Sequence, residues 1–194
     1  MNKNYWDNRY LHGNTPWTLN CVAPPLKHYF ETVNPPKHLK ILIPGVGSSK
    51  EAVYLLEIGY KNVFVLDISE RAIAEFESKY PEFPKEHIIQ SNYFDHTEHY
   101  DIIVEQTFFC ALPPSIRKRY VFHTNQILVV GGKLIGLFFQ GESTNEGPPF
   151  LASKLEYEEL FQEHFKISKL VECYNSIPPR QGSELFFIFE KTFI

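Results

Sequence analysis

The sequence predicts an α/β fold, a seven-stranded and mostly parallel sheet with helices on both faces and one antiparallel C-terminal strand. Three observations point there. From Leu39 onward, short apolar runs alternate with helix-patterned segments, and such alternation buries a parallel sheet between helical layers. The first apolar run empties into a glycine turn, Pro44-Gly45-Val46-Gly47-Ser48-Ser49, that leads straight into a helical pattern. The last two strand-like runs are joined by a short link with no helix. Such a link permits antiparallel pairing but no right-handed parallel crossover.

Residues 1–38 carry Pro16, Pro24, Pro25, Pro35 and Pro36 and no strand pattern. They read as an N-terminal cap with one short helix near Leu26–Thr32, on a core spanning residues 39–194 of the same single domain. In that core, Leu39–Ile43 is the first strand, Lys50–Ile58 a helix and Val63–Leu66 the second strand, which ends on Asp67. Ser69 is a good N-cap for a helix to about Tyr80, where Pro81 and Pro84 stop it. His87–Gln90 and Tyr100–Glu105 are the third and fourth strands. A helix over Ser115–Val129 follows Pro113-Pro114, and Gly131-Gly132 turns the chain into a fifth strand, Lys133–Gln140. After a polar loop, Gly141–Pro149, come a helix over Ser153–Phe165 and two strands, Lys166–Tyr174 and Glu184–Phe193.

At 194 residues and 43% apolar composition the chain can bury one substantial core. A net charge of −4 and the lack of any long basic run give no footing for nucleic acid. No apolar run nears the ~20 residues that span a bilayer, and the polar, aromatic start is unlike a secretion signal. Cys21, Cys110 and Cys173 lie far apart without metal or redox spacing, as free thiols of a reducing cytoplasm do. The expectation is a cytoplasmic monomer acting on a small molecule, with no membrane and no nucleic acid as partner.

Gly45 and Gly47 let a ligand approach the backbone. Asp67, with Ile68 beside it, stands about 20 residues on, where an acid can accept both hydroxyls of a ribose. A dinucleotide site would want a third glycine for its pyrophosphate, and here that place is Lys50, followed by Glu51. An anion there repels pyrophosphate. The departure favours a phosphate-free adenosyl cofactor, S-adenosyl-L-methionine, over NAD. Ligands of open α/β sheets sit outside the carboxyl ends of the strands. There Asn92 could bond an adenine edge, Tyr93 or Phe94 could pack on its face, and Gln106 could meet the cofactor's amino acid part. Phe108 and Phe109 would wall the acceptor side. Trp6, Tyr10 and Trp17, large aromatics outside any periodic element, would fold over as a lid and face a sulfonium cation. Arg180 is a candidate either for an anionic acceptor or for a plain surface role.

The segments Tyr5-Trp6-Asp7-Asn8-Arg9-Tyr10, Gly13-Asn14-Thr15-Pro16-Trp17, Pro44-Gly45-Val46-Gly47 and Leu66-Asp67-Ile68-Ser69 form a recognisable pattern. Thr107 to Pro114, Gly147-Pro148-Pro149-Phe150 and Pro179-Arg180-Gln181-Gly182 extend it nearly end to end. The chain resembles the thiopurine S-methyltransferase-like superfamily, especially its bacterial members and the plant thiol and halide methyltransferases. The resemblance implies a class I S-adenosylmethionine fold with seven strands. It also implies cofactor contacts at Trp6, Tyr10, Trp17, Gly45, Asp67, Asn92, Tyr93 and Gln106. Ser48-Ser49 and Gln106 depart from the family's usual residues. The expected reaction is methyl transfer to a small thiol, sulfide or halide by in-line displacement. No catalytic base is named, because a thiolate and a sulfonium lose both charges in the transition state. The rivals are an NAD-type oxidoreductase and a ligand-binding relative without turnover.

Other constellations carry less. Asp95-His96-Thr97-Glu98-His99 has ligand-type residues but no distant partner, so it reads as a solvated loop and no metal is expected. Cys110 has no histidine placed to activate it and reads as a buried thiol. No G-x-S-x-G elbow occurs.

Overall fold

The computed structural model describes residues 1–142 and 147–192. Seven strands form one sheet: β1 (Lys40–Pro44), β2 (Asn62–Asp67), β3 (Ile88–Gln90), β4 (Tyr100–Gln106), β5 (Leu128–Phe139), β6 (Lys166–Glu172) and β7 (Glu184–Glu190). Their order is β3-β2-β1-β4-β5-β7-β6. Only β7 runs against the rest, pairing antiparallel with both β5 and β6. The antiparallel strand is therefore the last in the chain but not the last in the sheet, since it slots between its two neighbours.

Six α-helices accompany the sheet: α1 (Lys3–Leu11), α2 (Pro24–Thr32), α3 (Lys50–Glu57), α4 (Glu70–Lys79), α5 (Arg117–Ile127) and α6 (Lys154–Phe161). Alternate residues of a strand point to opposite faces. Ile41 and Ile43 thus join Val63, Val65, Leu26, Phe30, Leu55 and Phe76 on the face covered by α2, α3 and α4. Leu42 and Leu66 join Ile103, Tyr120, Phe161 and Phe187 on the face covered by α5 and α6. The second face is heavily aromatic, with Phe138 stacked between Tyr157 at 4.3 Å and Phe187 at 3.9 Å.

Four expectations need correction. Residues 1–38 hold two helices, not one. Helix α1 is capped by the Asn2 side chain, which accepts from the Tyr5 N–H at 3.0 Å, and none of its residues is fully buried, so its apolar periodicity is weak. The helix expected over Ser115–Val129 stops at Ile127, and β5 starts at once at Leu128. Gly131-Gly132 is not a turn but an irregularity inside β5, where Tyr100 pairs with Leu128 and Ile102 with Lys133. Gly131 takes φ +75° there, and its N–H bonds the Lys191 carbonyl at 2.9 Å. Extra residues and a left-handed glycine are how a strand bulges without ending. Finally, α6 ends at Phe161, short of Phe165. The expected end of the last strand, Phe193, and residues 143–146 of the polar loop lie outside the described residues.

Because β1 pairs with β2 on one side and β4 on the other, the strand order reverses at β1. A crevice opens outside the carboxyl ends of strands at such a switch point. The tips of β1, β2, β3 and β4 meet there.

Candidate active site

A cavity of about 710 Å³ occupies that crevice. Thirteen of the fourteen residues that the sequence suggested lie on its wall, from Trp6, Tyr10 and Trp17 through Gly45, Gly47, Asp67, Ile68, Asn92, Tyr93, Phe94, Gln106 and Phe108 to Arg180.

The cofactor end is made by strand tips. Gly45 takes φ +74°, its N–H bonds the Leu66 carbonyl at 2.7 Å, and a Cβ on it would lie 2.8 Å from Phe108 Cδ2. Glycine is required twice over, for the left-handed backbone and for the close approach. Gly47 takes φ +45°, and a Cβ there would only graze Tyr10 Oη at 3.8 Å, so its bare backbone faces the cavity. Asp67 ends β2 half-buried, and its Oδ1 accepts the Ser69 N–H at 2.8 Å. Burial pushes its carboxyl up to about 6, with backbone hydrogen bonds from Ser69, Val46 and Ile68 partly opposing. Asn92 spends its side chain locally, Oδ1 accepting from Phe94 N–H and Nδ2 donating to Asp95. Tyr93 is only 2% exposed. Its hydroxyl meets Thr124 at 2.8 Å and its ring stands edge-on to Phe108 at 5.2 Å, so it supports the floor more than it presents a face.

The residues expected to form a lid make an aromatic cluster held from outside. Trp6 and Tyr10, one helical turn apart on α1, both meet the Trp17 ring edge to face, at 5.6 and 6.0 Å. Arg9 lies over Trp17 at 5.1 Å. Asp7 ties α1 to the core by accepting from Ser69 Oγ at 2.7 Å, beside the Asp67 carboxyl. Glu51, which sequence reasoning raised only as a repellent of pyrophosphate, is buried. Its Oε1 accepts the Ala23 N–H at 2.9 Å and burial pushes its carboxyl up.

Two readings of the sequence change. Phe109 does not face the cavity. It is fully buried among Tyr120, Phe138, Tyr157 and Phe161, because adjacent residues of a tight turn leave it in opposite directions. Arg180 is not a surface residue. It donates to Glu184 Oε1 at 3.1 Å and to the Trp17 carbonyl at 3.0 Å, with side-chain exposures of 10% and 3% for the pair. Elsewhere, the link at 95–99 is less solvated than expected, since His96 is buried with Nε2 2.8 Å from Tyr100 Oη. Among the described residues no group of three or more His, Cys, Asp or Glu is set to hold a metal, and no helix is long and apolar enough to cross a membrane.

The donor set fits an adenosyl cofactor. A glycine turn exposes backbone, a half-buried carboxylate ends β2, and two buried polar atoms on the wall, Ser49 Oγ and Gln106 Nε2, have no partner among the described residues. Buried polar groups seldom stay unpaired unless a ligand or water meets them. Aromatic rings complete the opposite side.

A doubly wound sheet with its reversed strand between β5 and β6, and this cradle at the switch point, define an S-adenosylmethionine-dependent methyltransferase of class I. The particular lineage follows from comparison: residues 1–192 match the family described as thiopurine S-methyltransferase, and the chain belongs to it. It is 30% identical over 185 residues to a probable thiol methyltransferase 2 of Arabidopsis thaliana, covering 92% of this chain and 81% of that one. It is 29% identical over 185 residues, with the same coverage, to thiocyanate methyltransferase 1 of Arabidopsis thaliana. Among solved structures, the 1,6-didemethyltoxoflavin-N1-methyltransferase of Burkholderia thailandensis, with 1,6-didemethyltoxoflavin and S-adenosylhomocysteine bound, shares the fold. Its TM-score is 0.77 at 16% identity, over 98% of this chain and 87% of that one. The oxidoreductase reading finds no support.

Proposed function

We propose that the protein methylates a small-molecule thiol, sulfide or comparable anion, and that it does so as a cytoplasmic monomer built from one domain. The observation that carries this reading is the mixed character of a single cavity. Its lining combines the glycine turn, Asp67 and Gln106 with the apolar side chains of Phe108, Leu112, Ile116, Phe139, Pro148 and Pro149. The relatives named for thiol and thiocyanate substrates support it.

Asp67 holds the ribose, the backbone at Gly45 and Gly47 with Gln106 holds the amino acid end, and Trp6, Tyr10 and Trp17 close over both. When bound, S-adenosylmethionine supplies an electrophilic methyl group on a sulfonium. The apolar wall keeps water from the incoming nucleophile and aligns it, which is where a charge-annihilating displacement gains most. Cys110 stands on the same wall but does not compete as nucleophile. Burial, reinforced by the nearby Glu105 charge, pushes its thiol far above its ordinary range and keeps it neutral.

Incubation with S-adenosylmethionine and a panel of thiols, hydrosulfide, thiocyanate and iodide, read by mass spectrometry, tests the reading. A methylated acceptor together with S-adenosylhomocysteine is expected. A protein that binds S-adenosylhomocysteine yet methylates nothing on the panel would make it a ligand-binding relative instead.

A further inference from the structure

Glu105 precedes the cavity wall but is not part of it. It lies near the end of β4 and is 1% exposed. Its Oε1 accepts the N–H groups of both Phe108, at 2.8 Å, and Phe109, at 2.9 Å, and its Oε2 accepts from Tyr120 Oη at 3.1 Å. The short helical turn Phe109–Ala111 has no side-chain cap from its own N-cap residue, Phe108. The Glu105 carboxylate therefore does from the preceding strand what a capping side chain does locally. The link between them is strained, for Thr107 is a β-branched residue at φ +61°. Such a conformation persists only where its surroundings over-determine it. The neighbouring strand lies close against the backbone of this residue. Gly136 pairs with Glu105, and a Cβ on Gly136 would come 2.5 Å from Glu105 Cβ.

We propose that Glu105 is a positioning residue for the acceptor side of the cavity: its carboxylate locks the turn at residues 107–109 so that Phe108 faces the cavity against Gly45 while Phe109 anchors in the core. Its kinetic consequence rests on the methyl-transfer reading; its structural consequence does not. The form that accepts all three hydrogen bonds is the ionised one. Burial pushes the carboxyl up to about 7, and the bonds from Phe109, Phe108 and Tyr120 oppose that. The titratable and charged groups around it are Tyr120 and Arg117 of α5, Tyr93 after β3, Cys110 of the turn, Tyr157 of α6 and Arg180 of the β6–β7 link. A protonated carboxyl would still accept both N–H groups at Oε1 and would donate from Oε2 to Tyr120 Oη, so the lock holds in either form.

Crystals of Glu105→Ala and Glu105→Gln, with kinetics on an acceptor that has no proton to lose, such as iodide, test the proposal. The Gln oxygen can still accept both N–H groups, and its amide can donate to Tyr120. Glu105→Gln should keep the turn in place and leave the acceptor KM within about twofold of the parent. Glu105→Ala should displace the Phe108 ring and raise the acceptor KM about tenfold or more, with S-adenosylhomocysteine affinity within about twofold of the parent. An undisturbed turn and acceptor KM in Glu105→Ala would overturn the proposal. Should that variant not fold, Glu105→Met, which keeps the bulk and removes the acceptors, is read in the same way. If the parent protein methylates nothing, the function is wrong, and the position of Phe108 in the crystals alone decides the role of Glu105.

Discussion

The two halves of the cavity are built differently. The cofactor end is local: Gly45 and Gly47 follow β1 directly, Asp67 ends β2, and the neighbouring N–H groups of Ser69 and Phe94 hold Asp67 and Asn92. The lid is assembled at long range. Trp17 is held by Arg180, 163 residues away, α1 by the contact of Asp7 with Ser69, 62 residues away, and Ala23 by Glu51, 28 residues away. A strand tip inherits its geometry from the sheet, whereas a lid without a buried face of its own depends on a few polar bonds to stay in register.

The sharpest way to break that contrast is to cut the longest tie. Arg180→Met leaves Glu184 as a buried carboxylate without its partner and should cost about 3–5 kcal/mol. Urea denaturation measures it. Adding Glu184→Leu should recover most of the loss, because a buried pair replaced by apolar side chains is close to neutral. A double variant no better than the single one would mean that the Trp17 carbonyl, not the ion pair, is what Arg180 serves.

A smaller effect separates the cofactor end from the lid by pH. With the Asp67 carboxyl near 6, the form that accepts from a ribose diol is lost as pH falls through that value. S-adenosylhomocysteine affinity should then weaken by up to about tenfold per unit below pH 6 and stay level above it. Stability of the free protein should move the other way. The folded carboxyl sits above its unfolded value of 3.8, so the fold favours the protonated form. The contribution is full below about 4 and is lost as pH rises through about 6. Calorimetric titrations and thermal melts over the same pH range check both signs, and parallel trends would remove Asp67 as the group responsible.

The same contrast explains what the sequence made legible. The glycine turn, the acid and the strand-end polar residues were readable because each is specified within a few residues of a strand. Helix α1 left a signal, Asn2 before a Trp6 and Tyr10 pair at i and i+4, but its polar composition hid the period. The destinations of Phe108 and Phe109 were not readable, because two adjacent phenylalanines look alike until the turn that separates them is formed. The cue was the acid at Glu105, whose partners lie three and four residues on. Arg180 and Glu184 have helical spacing without a helix, so only the folded β6–β7 link brings them together. Gly131-Gly132 resembles a turn in any one-dimensional reading; it is a bulge only because β4 and the chain after β7 pair across it.

The central claim is that an adenosyl ligand sits on the tips of β1 and β2 with Asp67 on its ribose. Isothermal titration of S-adenosylhomocysteine into the parent protein and into Asp67→Ala tests it most directly. The account predicts clear binding to the parent and an affinity weaker by about a hundredfold in a variant whose melting profile remains cooperative. Equal affinities in two folded proteins would contradict it.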